Sequence, residues 1–434
     1  MRRILVAVLL FLSHCDTIPP EPVDPENELI TKGRDLFFNE TFEGNGRTCG
    51  TCHPEENAFT LDPSFIASLP PDNPLFVAEF DSALKENFEK PRLMRQFGLI
   101  LENLDGFENL DSSFTMRGIP HTLGLANTVS SSMGPRTGWS GDGAPGDGSL
   151  RSFAVGAVIQ HFTKTLNRIP GVDFRLPSDE ELDALEAFQL SLGRQEELSL
   201  PLPLKGIIAS RGQELFLDSA VGKCNICHVN AGANTTILGN SNFNTGVELL
   251  PDQPARLGDD LVPFDNGFGR AGDSTFNVPS IVEAASTGPF FHNNSIETIE
   301  GAVAFYNGAS FNNSPSGVFL GGIELDGTQV VEIAAFLRVI NALENMRQAV
   351  DFLERSLEPP SPQREEPVRL LERALAVTDD AIVVVSGGGL HAAAVAHLRR
   401  ARGLTAEATE RYSIEQRVNN AIRELHLARE EILD

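Results

Sequence analysis

The sequence predicts a mainly α-helical protein: two similar helical domains packed together, followed by a helical extension. Three observations predict it. The pattern Cys-x-x-Cys-His occurs twice, at Cys49 to His53 and at Cys224 to His228, with 175 positions between equivalent Cys. Each copy follows a segment of helical spacing that ends in Leu-Phe. Leu29, Ile30, Leu36 and Phe37 form the first and Ile207, Ile208, Leu215 and Phe216 the second, so that Gly33-Arg34-Asp35-Leu36-Phe37 is echoed by Gly212-Gln213-Glu214-Leu215-Phe216. After Asn345 the pattern changes, and apolar residues recur at helical spacing almost to the end of the chain.

The first element is a targeting segment. Met1-Arg2-Arg3 is a short basic region, and Ile4 to Leu12 is an apolar run much too short to span a bilayer. With the Pro-rich stretch Ile18 to Pro25 it reads as an export signal and an extended linker over residues 1–26. Cys15 stands where a lipoprotein would carry its lipid, although His14 occupies a position where small residues are usual. The expected location is periplasmic or otherwise exported, with membrane contact only through a lipid on Cys15. No later segment has 18 uninterrupted apolar residues.

The formal net charge is −26, from 60 acidic and 34 basic residues. That balance argues against binding nucleic acid or an anionic membrane surface through charge.

The two motifs carry the chemistry. Two thiols three positions apart reach both vinyl groups of a haem and form thioethers, and the adjacent His supplies an iron ligand. Structural zinc would want further Cys or His at short spacing, and none follows either motif. A thioredoxin-like pair has no need of a His after its second Cys. The reading is therefore two covalent c-type haems, on Cys49, Cys52 and His53 and on Cys224, Cys227 and His228. Residues 27–200 form an N-terminal cytochrome c domain with a large insert from Asp62 to Asp111, and residues 201–345 a C-terminal one. Each is expected to be all-α with long loops, because the haem itself fills the core.

The sixth iron ligand separates an electron carrier from a catalyst. No Met lies between His228 and Met346, so His292 and Tyr306 are the remaining candidates in the second domain. For the first haem, His121, His161, Met94, Met116 and an open position all stand.

Further motifs resemble the bacterial di-haem cytochrome c peroxidase and MauG family over roughly residues 30–345. Phe276-Asn277-Val278-Pro279-Ser280 and Thr287-Gly288-Pro289-Phe290-Phe291-His292-Asn293-Asn294-Ser295 are similar to its V-P-[TS] and T-A-P-[YF]-[FM]-H-[DN]-G signature. Tyr306 lies fourteen residues after His292, where the peroxidases place a Met ligand to the second haem and MauG a Tyr. The resemblance thus implies Tyr306 as an iron ligand opposite His228. Arg117-Gly118-Ile119-Pro120-His121-Thr122 resembles R-N-x-P-[ST], and Gly138-Trp139-Ser140-Gly141-Asp142-Gly143 resembles F-W-D-G-R. The family's Trp relays electrons between the haems, a role that falls to Trp139, the one Trp of the chain.

Three departures matter. The family's acid/base Glu, about twenty residues after the Trp, has no counterpart in Val158-Ile159-Gln160-His161-Phe162-Thr163, so His161 or Gln160 would have to serve. No His lies between Pro54 and Met116 to act as the mobile ligand of many peroxidases, which leaves the first haem open at rest, as in MauG. The family's calcium uses the Asn of R-N and carbonyls matching Thr287 and Pro289; Gly118 replaces that Asn, and calcium stays open.

Residues 346–434 lie outside the resemblance. Val368, Leu370, Leu371 and Leu375, then Leu390, Ala394, Val395 and Leu398, then Val418, Ile422, Leu425 and Ile432 predict three or four amphipathic helices that dock on the body or bind a partner. Ser386-Gly387-Gly388-Gly389 is a turn between helices and lacks the Lys of a phosphate loop.

Three functions follow as expectations. The first is reduction of hydrogen peroxide with electrons from a small cytochrome or cupredoxin. The second is MauG-like or oxygenase-like oxidation of an organic or protein substrate with peroxide or O2. The third is a non-catalytic di-haem electron carrier.

Overall fold

The computed structural model describes residues 25–434 except 86–87, 104–113, 130–135, 140–146, 255–256, 258–261, 263–264, 266–273, 360–364 and 411–413. Residues 1–24 of the targeting segment and linker, Met133 and the stretch from Ser140 to Gly143 lie outside the described residues; residues 25–26, expected to be extended linker, already belong to the first helix.

The first unit opens with α1 (Pro25–Asn39) and a single turn, α2 (Cys49–Cys52). The insert supplies α3 (Pro63–Ser68), α4 (Val77–Phe80), α5 (Pro91–Phe97) and strand β1 (Leu99–Asn103), which pairs antiparallel with β2 (Phe114–Gly118). Then follow α6 (Leu125–Val129), α7 (Leu150–His161) and α8 (Asp179–Leu190). Ser178 and Glu181 start α8 as a reciprocal capping box. The second unit holds α9 (Ile207–Leu217), the turn α10 (Cys224–Cys227), the short pair β3 (Asn242–Phe243) and β4 (Phe276–Asn277), then α11 (Ile299–Phe305), α12 (Ala309–Asn312), α13 (Pro315–Leu320) and α14 (Gly327–Ser356). Helices α15 (Pro367–Gly387), α16 (Ala392–Glu410) and α17 (Ile414–Glu430) complete the chain. The mainly α-helical class holds, with two small β pairs in place of loops.

The repeat in sequence is a repeat in packing. Gly33 of α1 lies so close to α8 that a Cβ there would collide with the carbonyl of Ala184 and the Cβ of Phe188. Gly212 of α9 meets α14 in the same way, at the carbonyl of Glu332 and the Cβ of Phe336. The following aromatics match too: the Phe37 and Phe188 rings are 5.2 Å apart, as are those of Phe216 and Phe336. In both copies a helix crosses the last helix of its unit at a glycine, four residues before a Phe–Phe contact.

That crossing sets which face is buried. Leu29, Ile207 and Ile208, read as part of the apolar stripe, are exposed, and the core face is carried by Leu36 and Phe37 and by Ala209 and Phe216. Close backbone approach makes the small residues the contact line, and the apolar residues one turn earlier fall outside it.

The division placed after Asn345 falls inside the thirty-residue helix α14. Its first half packs Ile333, Phe336, Leu337 and Ile340 into the second unit's core with Phe216 and Val303. Its second half packs Met346, Ala349 and Leu353 against Leu370, Leu371, Ala374, Leu398 and Leu425 of the last three helices. The extension therefore docks on the body of the molecule. Its end is also pinned to the segment before α9, by Lys205 N to Ile432 O at 2.7 Å and Asp434 N to Pro203 O at 2.8 Å.

Candidate functional site

Both Cys-x-x-Cys pairs form one helical turn, and none of the four thiols is in a disulfide. Burial pushes Cys49 and Cys224 up to about 12 and Cys52 up to about 11.

The histidine that follows each pair is oriented alike. His53 Nδ1 lies 2.9 Å from the carbonyl of Phe59, and His228 Nδ1 lies 3.2 Å from that of Pro279 and 3.3 Å from that of Gly232. A carbonyl on Nδ1 fixes the tautomer and leaves Nε2 as the ligating nitrogen. Burial lowers both imidazoles to about 4, so each is in its neutral, ligating form at pH 7. The residues present fit two haems held by these six side chains.

A largely apolar cleft opens beside the second motif. Cys224, Cys227, His228 and Tyr306 line it, with Val303, Ile333 and Leu337 behind them and Trp139 and His121 at the first unit's side. Tyr306 caps the end of α11 and is wedged among Phe291, Phe305 and Phe311. Its hydroxyl has no hydrogen-bond partner among the described residues. Burial, with Cys227 and Cys224 nearby, raises its pKa above the ordinary phenol value. The other candidates for the second iron are engaged. Met346 is buried in the core of the last helices. His292 stacks on Phe276 with ring centroids 3.6 Å apart, and its Nε2 meets Glu248 Oε1 at 2.8 Å.

Trp139 stands at the junction of the two units. Its Nε1 donates to Gly118 O at 2.7 Å, and its own carbonyl accepts from Asn277 N at 2.9 Å. Gly118 N in turn donates to His292 O at 2.8 Å. The ring is thus held to the first unit, and the main chain of the same residue to the second.

At the first motif, His161 ends α7. Burial foremost, then the charges of Arg47, Arg168 and His53, lowers it to about 3. Its protonation is electrostatically coupled to that of His53, so the structure brings the two rings near each other. His121 does the same, lowered to about 4 by burial with His53 nearby, but it also lines the second cleft. Met94 and Met116, weighed as ligands of the first iron, are packed in the small apolar clusters of the insert and of the β pair.

Two partners of these residues carry no signal in the sequence. The insert carries Glu89, a buried carboxylate, to Arg47, and this pair acts on Cys52. Glu248 comes from a short turn, with no motif, to hold His292.

A side chain at position 118 would collide with the amide of Asn294, whose Nδ2 donates to Phe97 O at 2.8 Å. The amide of Asn294 thus fills the space that a side chain at position 118 would take. No group of three or more His, Cys, Asp or Glu side chains among the described residues could hold a metal ion.

No family model matches this chain, and no curated protein matches it significantly. Among solved structures it is similar to a MauG-like protein associated with microbial copper homeostasis, at 18% identity and a TM-score of 0.43, covering 76% of this chain and 95% of that one. It is also similar to the diheme peroxidase BthA from Burkholderia thailandensis E264, at 17% identity and a TM-score of 0.42, covering 73% of this chain and 86% of that one.

Proposed function

We propose that this chain is a di-haem c-type oxidoreductase that reduces hydrogen peroxide with electrons from a small redox protein, a cytochrome or cupredoxin. The observation that carries the reading is the repeated motif geometry: an unbridged Cys-x-x-Cys turn followed by a buried, neutral His whose Nδ1 rests on a carbonyl, twice in one chain. Cys49, Cys52 and His53 would hold one haem, and Cys224, Cys227 and His228 the other. When bound, haem supplies one-electron redox chemistry and a Lewis-acidic iron.

The chain's own residues supply the rest. The carbonyls of Phe59 and Pro279 orient the two imidazoles. Trp139, pinned between the units, is the aromatic group through which the two sites would exchange electrons. His161 stays neutral at working pH and is a hydrogen-bond acceptor rather than a store of protons. Arg47 and Arg168 bring positive charge to the same site, which favours a developing anion there.

Tyr306 supports a second reading, MauG-like oxidation of an organic or protein substrate. It brings a phenol oxygen into the cleft that His228 also lines. A hard phenolate favours ferric iron, where Met would favour ferrous.

The test is purified protein carrying its haems. Haem staining on a denaturing gel and intact mass should show two covalent haems, and peroxide should be consumed with reduced cytochrome c or cupredoxin as donor. A mass excess of one haem or none overturns the assignment. Low-spin ferric signals from both irons without peroxide turnover would mark an electron carrier instead.

A further inference from the structure

We propose that the C-terminal helices position the loop that carries His53, through a closed ring of ion pairs made by Arg34, Glu55, Glu365 and Arg373. The inference rests on reading His53 as an iron ligand.

Glu55 lies two residues after His53, in the single turn Glu55–Asn57. Its Oε2 is 2.5 Å from Arg34 Nη2, and its Oε1 is 2.6 Å from Arg373 Nε. Glu365 closes the ring from the other side, with Oε1 at 3.2 Å from Arg34 Nε and Oε2 at 2.6 Å from Arg373 Nη1. Two arginines alternate with two carboxylates, each charge has two partners within the ring, and Glu365 also meets Arg355 Nη2 at 3.8 Å. The four side chains are only 7–19% exposed. Aromatic faces hold the arginines in place: Arg34 lies 4.8 Å from the Phe38 ring, and Arg373 lies 4.0 Å from that of Phe352. Such a ring differs from a lone surface pair because each side chain is ordered once and used twice.

The ring joins α1 and the motif loop to α15. The loop passes the constraint on to His53. Phe59 N donates to Pro54 O at 2.9 Å, which closes residues 54–59 on themselves, and Phe59 O is the carbonyl on His53 Nδ1. Glu55 sits inside that closed loop. Its two arginines therefore fix the carbonyl that sets the orientation and basicity of the His53 imidazole, as partners of a ligating histidine do.

The second copy has no such device. The position equivalent to Glu55, 175 residues on, is Asn230, whose Oδ1 accepts from Leu200 N within the body of the protein. The extension thus braces one histidine of the two, and the duplicated sites become unequal.

The test uses the full-length holo-protein and Arg373→Met, with Glu55→Gln and Glu365→Gln as independent variants. Haem content by mass and helix content by circular dichroism are measured first. Ferric electron paramagnetic resonance, the ferrous iron–histidine stretch by resonance Raman and the two midpoint potentials are then compared, with signals assigned from a His228→Gly variant. The expected result is a shift in the first haem's stretch and potential in Arg373→Met and Glu55→Gln, unchanged signals from the second haem, and partial recovery in Arg373→Lys. Unchanged first-haem signals in both Arg373→Met and Glu55→Gln, or an equal shift at both haems, would overturn the proposal. A parent protein without haem on Cys49 and Cys52 would instead overturn the ligand reading on which it stands.

Discussion

Replacing Arg47 with Met should destabilise the first unit by about 3–5 kcal/mol, the usual cost of breaking a buried ion pair by removing one partner. Arg47 is fully buried and Glu89 is 3% exposed. The guanidinium meets Glu89 Oε1 at 2.9 Å, the carbonyl of Leu75 at 2.6 Å and that of Pro74 at 3.2 Å. Met fills much of the aliphatic volume but supplies no donor, so the loss is one charge pair and two carbonyl contacts rather than a cavity. Most of the cost lies in stranding the Glu89 carboxylate. Arg47→Met combined with Glu89→Gln should therefore be less destabilised than Arg47→Met alone. The sign with pH follows from the same group. Burial already raises the Glu89 carboxyl above its ordinary range, against the pull of Arg47. Without Arg47 its folded pKa rises further, and a group with a raised folded pKa costs stability as pH climbs above the unfolded value. The penalty of Arg47→Met should be smaller at pH 5 than at pH 7. Urea unfolding followed by the fluorescence of the single Trp, Trp139, measures it. A loss under about 1 kcal/mol, or a double variant as unstable as the sum of the two single variants, would refute the reasoning.

Trp139→Phe keeps an aromatic ring but removes the donor to Gly118 O, and should slow electron exchange between the haems and peroxide turnover by about tenfold, a barrier increase of about 1.4 kcal/mol, with both haems still loaded. Stopped-flow absorbance checks it, and unchanged rates refute the relay. Tyr306→Phe should convert the ferric spectrum of the second haem to high-spin or to another ligand set; an unchanged low-spin spectrum removes Tyr306 from the iron. Glu283 sits buried near Glu344, and burial followed by that second carboxylate raises its pKa well above the carboxylate range. Glu283→Gln should thus gain in urea midpoint over the parent as pH rises from 5 to 8, and the gain should vanish below the unfolded carboxylate pKa.

The chemistry of the two Cys-x-x-Cys-His motifs is legible because it is local. Cys49 to His53 and Cys224 to His228 declare themselves within five residues, and the Gly33 and Gly212 repeats within five more. Tyr306 was found by its spacing from His292, and the structure places it in the same cleft as His228. What stayed hidden depends on chain closure. Glu89 reaches Arg47 across the insert, Glu248 reaches His292 from a turn with no pattern, and Arg373 reaches Glu55 from the far end of the chain. Such partners are single charged residues, and a solvated surface is the ordinary reading of a Glu or Arg in sequence. The stripe containing Ile207 and Ile208 misled for the opposite reason. Helical periodicity finds a face, but the residues that let two backbones touch are the glycines, which carry no apolar signal.

The helix shared by the second unit and the last three helices has a consequence for how the chain is made. It is about 45 Å long at the usual rise per residue. One end forms the wall of the second cleft through Ile333 and Leu337, and the other presents Met346, Ala349 and Leu353 to partners that come after residue 367. A chain emerging from its N-terminus completes both motifs and this helix before those partners exist. Until Leu370, Leu398 and Leu425 arrive, an apolar stripe is left facing water. The growing polypeptide therefore passes through a stage in which both Cys-x-x-Cys-His segments are finished and its sticky edge is uncovered. A truncation before α15 would leave the molecule permanently at that stage.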